Sequence, residues 1–155
     1  MRFWDSSALL ALLAGQEGSA LLKPLAEEDA GVAIWWATPV ELASGACRLL
    51  GENALEEAAC ARLLDRIAAI ARAADQIEAA EVVREAAVRM LRVHDLRAAD
   101  ALQLASALVW SDYSPGGSGF VSTDRRLRTA ASREGFKVLP EEPWPARSGG
   151  SASPL

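Results

Sequence analysis

Four short apolar runs punctuate longer stretches of helical spacing along this chain. "MRFW" stops at Asp5, "GVAIWWAT" runs into Pro39, "FVST" stops at Asp124, and "FKVL" precedes a proline-rich tail. Bounded runs this short read as buried strands. Between them the apolar positions recur at helical intervals. "SSALLALLA" predicts a helix that Ser6 or Ser7 can cap, and "GSALLKPLAEEDA" a second. Pro39 suits the first turn of a helix through "TPVELASGACRLL". From Glu52 to about Arg72 the pattern is strongly amphipathic, and "IEAAEVVREAAVRMLRV" repeats it, predicting two long helices joined near "AADQ". "LRAADALQLASALVW" predicts a largely buried helix, "SDYSPGGSG" a loop, and "DRRLRTAASREG" a basic helix. The tail "PEEPWPARSGGSASPL" is rich in Pro, Gly and Ser and is expected to be disordered, which leaves residues 1–139 as one domain.

Strands alternating with crossover-length helices predict a parallel sheet covered on both faces. The 155 residues suffice for one domain with a real core. With 51% apolar and 24% charged residues the composition is that of a soluble globular protein. No run approaches the ~18 apolar residues of a membrane span. Asp5 and two serines interrupt the apolar N-terminus, so it reads as part of the fold rather than as a signal peptide. Cys47 and Cys60 lack a short C-x-x-C spacing and read as reduced thiols of a cytoplasmic protein. The formal charge of −5 argues against coating nucleic acid by bulk electrostatics. Among the sixteen cations only Lys23 and Lys137 are lysines. Arginine is the better side chain for bidentate phosphate contacts.

The candidate chemistry lies in the acids. Ligands of an open parallel sheet bind outside the carboxyl ends of its strands. Asp5 and Asp124 end two of the apparent strands, and Glu41 follows a third in the first turn of its helix. Asp100, Gln103 and Ser106 are the polar side chains of an otherwise apolar helix, spaced three apart on one side. Each acid alone has a plain structural explanation: Asp5 and Asp124 as caps, Glu41 at a positive helix end, Asp100 paired with Arg97. Together they would repel one another unless a cation sat among them. Hard oxygen donors without histidine or thiolate favour Mg²⁺ or Mn²⁺, an ion that activates water for phosphodiester hydrolysis.

The set "FWDSSALLALL", "ATPVELAS", "LRAADALQLASAL" and "FVSTDRRLRTAASREGFKVL" resembles the PIN domain, most closely the VapC-like toxins of toxin–antitoxin pairs, from about Arg2 to Leu139. The resemblance implies a three-layer α/β/α fold around a mainly parallel sheet of four to five strands. It implies a divalent-metal-dependent ribonuclease whose metal-site acids are Asp5, Glu41, Asp100 and Asp124. Ser7 falls on the family's hydroxyl two residues after the first acid, and Thr123 looks like a similar supporting position. The resemblance also implies an antitoxin partner and a homodimer.

Arg125, Arg126, Arg128 and Arg133 form a basic patch after Asp124 that either holds RNA phosphates or solvates a helix face. A lone His94 excludes a multi-histidine metal centre. Two rival functions remain: a non-catalytic PIN-like binding module, and a phosphohydrolase using Asp5 as nucleophile. The second usually carries another Asp where Ser7 stands, and a catalytic lysine.

Overall fold

The structure is a computed structural model in which residues 1–141 are described; the expected disorder of the tail falls almost entirely on residues outside that range. Five strands form one sheet: β1 (Arg2–Trp4), β2 (Val32–Trp35), β3 (Asp75–Ile77), β4 (Gly119–Val121) and β5 (Lys137–Leu139). Their order is β3-β2-β1-β4-β5 and every pairing is parallel. Seven helices are described: α1 (Ser6–Leu13), α2 (Ser19–Glu28), α3 (Thr38–Gly51), α4 (Glu57–Ala73), α5 (Glu81–Val93), α6 (Ala98–Trp110) and α7 (Arg125–Arg133). They cover both faces, making the three-layer α/β/α architecture.

Alternation along the strands assigns the side chains to two cores. Phe3 points to one face, where it stacks on Phe120 at 5.6 Å between ring centroids and packs with Met90, Leu104 and Leu127 of α5, α6 and α7. Trp4 points to the other, among Leu9, Leu42 and Leu63 of α1, α3 and α4, with Leu22 of α2 beside them. Both aromatic residues are fully buried. Gly45 lets α3 approach α1 closely, because a Cβ there would run into the methyl carbons of Leu10.

One expectation is corrected. "AADQ" is not a simple joint between two helices, since Asp75–Ile77 form the edge strand β3 on the free side of β2. Two of its three residues are exposed, and only Ile77 reaches the core. Its pairing is dictated by the unsatisfied edge of β2 rather than by an apolar run of its own. The predicted loop lies between α6 and the first residue of β4, at the amino edge of the sheet.

The chain fills β1, β2 and β3 outward on one side, then crosses to β4 and β5 on the other. The reversal falls between β1 and β4, and a crevice at such a switch point is where doubly wound sheets bind ligands.

Candidate active site

Asp5 follows β1 directly, and its backbone N–H donates to Val121 O of β4 at 3.0 Å. The parallel register pairs Phe3 with Phe120 and Trp4 with Val121. Continued one residue, it sets Asp5 beside Ser122. The carboxylate is 2% exposed, and both of its oxygens accept hydrogen bonds. Oδ1 accepts from Ala8 N (3.1 Å) and Ser7 Oγ (2.8 Å); Oδ2 accepts from Ser122 Oγ (3.2 Å). Asp5 is therefore itself the cap of α1, the role expected of Ser6 or Ser7. The freed serines face the acids instead. Ser7 bonds Asp5, and Ser6 donates to Glu41 Oε2 at 2.6 Å.

The hydroxyls also tie Asp5 to the opposite strand. Ser7 Oγ accepts from Thr123 N at 3.0 Å, and Ser122 Oγ accepts from Asp124 N at 3.1 Å. The contact Thr123 makes here is its backbone N–H. The hydroxyl against Asp5 belongs to Ser122, which is fully buried and which sequence reasoning missed. In "FVST" two hydroxyl residues stand side by side, and only the register between β1 and β4 distinguishes them.

The other three acids each open a helix at this same edge. Asp124 caps α7 by accepting from Leu127 N at 2.8 Å. Glu41 and Asp100 lie half-buried in the first turns of α3 and α6. Gln103 hydrogen-bonds Glu41 and, through Nε2, Thr38 Oγ1 at 3.1 Å, joining α6 to α3 behind the site. Ser106, the third member of the predicted polar stripe, bonds back to Leu102 O in its own helix and takes no part.

Asp5 and Asp124 do cap helices and Glu41 does open one, whereas Asp100 takes a backbone hydrogen bond and a favourable charge from Arg97 rather than the expected side-chain pair; the acids also repel one another. Burial pushes the Asp5 carboxyl up to about 7 against its serine and backbone hydrogen bonds, with the charge of Asp124 adding to the rise. Burial raises Asp100, and Asp124 raises it further, while Arg97 and Arg126 offset part of this. Burial raises Glu41 as well, opposed by Ser6 and Gln103 and reinforced by Asp100. The four carboxylates form a line of coupled charges around one edge. Among the described residues no three acidic, thiol or imidazole side chains make a closed metal cage. The donor set still suits a hard divalent cation, because Mg²⁺ keeps several waters and needs only one or two carboxylates. An ion among these acids would offset the repulsion that adds to the burial-driven rise of three of them. A cleft of about 500 Å³ between α1 and α3 opens onto Ser6, Ser7, Glu41 and Thr123.

Arg128 leaves the predicted RNA-binding patch. It is 8% exposed, and its guanidinium donates to Ser122 O (2.8 Å), Leu139 O (3.0 Å) and Pro140 O (2.7 Å). Facing inward from α7, it closes the ends of β4 and β5. Arg125, Arg126 and Arg133 remain exposed.

A five-stranded parallel sheet with coupled carboxylates at its switch point is the frame of a PIN domain. The PIN domain family model matches residues 2–133, which include all four acids, and the chain belongs to that family. Its likeness is to the VapC branch. Ribonuclease VapC45 of Mycobacterium tuberculosis (strain CDC 1551 / Oshkosh) is 31% identical to it over 141 residues, 90% of this chain and 95% of the relative. Ribonuclease VapC49 of Mycobacterium tuberculosis (strain ATCC 25618 / H37Rv) matches with the same identity and coverage.

Proposed function

We propose that this protein is a divalent-metal-dependent endoribonuclease, the toxin of a toxin–antitoxin pair, with Asp5, Glu41, Asp100 and Asp124 as the acids that hold Mg²⁺ or Mn²⁺. The observation that carries the reading is a buried Asp5 carboxylate that feels the charge of Asp124 and has no cationic partner of its own among the described residues. The names of the two relatives point to the same activity.

A divalent ion at this edge supplies a water of lowered pKa and neutralises charge on the phosphoryl group. The chain's own residues do the rest. Ser7 and Ser122 fix both oxygens of Asp5, so that its free lone pairs face a defined direction. Ser6 and Gln103 fix Glu41 at the mouth of the α1–α3 cleft. Asp5 gives up its proton when the site is loaded, because its carboxyl titrates near neutrality. RNA then meets an edge from which water is partly excluded and whose acids are preset.

Asp5→Asn and Asp100→Asn should each lower Mg²⁺- or Mn²⁺-dependent cleavage of single-stranded RNA at least a hundredfold, and chelator should abolish it. Undiminished cleavage by either variant overturns the assignment. The open arrangement of the acids favours a second reading, a PIN-like module that binds without cleaving. A thermal-melt titration with Mn²⁺ separates the two: no stabilisation favours the module. A phospho-aspartate mechanism is disfavoured, since both Asp5 oxygens are engaged and the side chain is 2% exposed.

The partner surface belongs to this reading too. Leu64 on α4 and Val82, Val88, Leu91 and Val93 on α5 are between 37% and 55% exposed. These apolar side chains suit an antitoxin that wraps the helices and blocks the acidic edge, or a second copy in a homodimer. Among the described residues no helix is long and apolar enough to cross a membrane.

A further inference from the structure

A second cavity, of about 270 Å³, lies beside the acids between the first residues after α5 and the outer face of α7. Arg125, Arg126 and Arg133 line it, together with His94, Asp95 and Thr129. The spacing of Arg126, Thr129 and Arg133 puts them on one side of the helix, and His94, Asp95 and Leu96 after α5 supply the opposite wall. In a chain of formal charge −5 this concentration of guanidinium groups is unusual. The one carboxylate in the lining, Asp95, is 92% exposed and stands 3.8 Å from Arg126, a loose contact screened by water. Among the described residues neither Arg125 nor Arg133 forms a side-chain hydrogen bond or an ion pair. The other cations of this region are engaged. Arg89 bonds Glu134 at 2.7 Å, and Arg128 is sealed inside on carbonyl groups. His94 is held by Glu134 at 2.8 Å, which fixes the wall of the cavity.

The cavity is also electrostatically continuous with the acidic edge. Arg126 is near enough to Asp100 for its charge to offset part of the repulsion there, and Arg125 follows the cap Asp124 directly. A strand whose scissile phosphate lay at the acids would pass its neighbouring phosphates over this face of α7.

We propose that the Arg125–Arg126–Arg133 cavity is a binding site for a backbone phosphate of single-stranded RNA flanking the bond to be cut, with Arg133 as its far anchor. The proposal rests on the nuclease reading for its substrate class, and it adds the site that holds the strand. Guanidinium groups bind phosphate in a bidentate fork, so a pocket of several of them fixes the strand's direction without reading its sequence.

The test is Arg133→Ala in the full chain, read with a short fluorescent single-stranded RNA. KM should rise about fivefold to tenfold with kcat unchanged. Binding measured in chelator, where no cleavage occurs, should weaken by the same factor. The dependence of log K on log[salt] should flatten by about 0.7, the share of one single-strand phosphate. Arg133→Lys should retain the salt slope and recover part of the affinity, whereas a helix-stabilising role would show as a changed melting temperature with KM intact. That last result overturns the proposal. So does inorganic phosphate raising the melting temperature through Arg133 while RNA affinity is indifferent to the substitution, which would mark a free-phosphate site. If the unsubstituted protein binds RNA in chelator but never cleaves it, the nuclease reading fails, and the cavity stands as an RNA-phosphate site only where Arg133→Ala weakens that binding. If it cleaves RNA and Arg133→Ala changes neither KM nor salt slope, only this one fails.

Discussion

Asp5 caps α1, bonds two serines and is buried to 2% exposure, yet burial works against its charge. Its carboxyl is raised from 3.8 to about 7 in the folded chain. A raised folded value means that the protonated form is the one the fold favours. The stabilising contribution is complete below pH ~4 and is lost as pH rises through about 7. A shift of this size corresponds to a difference on the order of 4 kcal/mol between the two ends of that window. In chelator at pH 8, Asp5→Asn should therefore be more stable than the unsubstituted protein by about 2 kcal/mol, after the weakened serine hydrogen bonds are allowed for. The gain should vanish at pH 4, and urea unfolding at the two pH values checks both points. Ser122 gives a second residue-scale prediction. Ser122→Ala strips a donor from Asp5 and an acceptor from Asp124 N, and should lower cleavage about tenfold. Thr123→Val keeps the backbone N–H that reaches Ser7 and should cost less than threefold, measured on the same RNA. The acids were legible because each stands where an apolar run or helix face is interrupted. Ser122 was not, because its role depends on a register set by pairing between residues more than a hundred positions apart.

At the scale of elements, Arg128 shows why a basic helix is not a basic surface. In "DRRLRTAASRE" the four arginines look equivalent, and only the packing of Leu127, Ala130 and Ala131 into the core decides which of them turns inward. Arg128 sits one turn after Asp124 and grips the carbonyls of Ser122, Leu139 and Pro140, so it sets how β4, β5 and α7 meet. Arg128→Met should cost about 3 kcal/mol, because it takes the described donor from the carbonyls of Ser122 and Pro140, while Leu139 O keeps only the Ser122 N–H. Arg128→Lys should recover less than half, since one ammonium cannot span the three acceptors. Chemical denaturation of both variants measures this. Cleavage by the folded fraction should fall as well, because Ser122 O is one of the carbonyls released. The helices were readable from periodicity, and α3 begins where Pro39 put it. β3 was hidden for the opposite reason: a polar three-residue edge strand has no periodicity to show.

The whole molecule turns a sheet topology into a charge problem. Because β1 and β4 flank the switch point, the chain delivers Asp5 and Asp124 to neighbouring strand ends, and α3 and α6 bring Glu41 and Asp100 from opposite faces. The helix starts lend some positive potential, up to roughly 1 kcal/mol each at partly exposed sites, which is too little to neutralise the set. Protons and a divalent cation then compete for the same oxygens. Asp5 titrates near 7, so that carboxyl is largely protonated at pH 6 and largely ionised at pH 8, and burial raises Glu41 and Asp100 in the same direction. A divalent ion must displace those protons at the lower pH and meets few of them at the higher. At a fixed Mn²⁺ concentration the rise in melting temperature should consequently be larger at pH 8 than at pH 6, and the apparent Kd should weaken roughly tenfold per proton displaced for each pH unit below the carboxyl's own value. Asp5→Asn should flatten this pH dependence as well as weaken binding, because it removes the group that titrates in the window. A Mn²⁺ shift of equal size at both pH values would mean that the ion binds elsewhere on this acidic chain, and that the coupled carboxylates serve the fold alone.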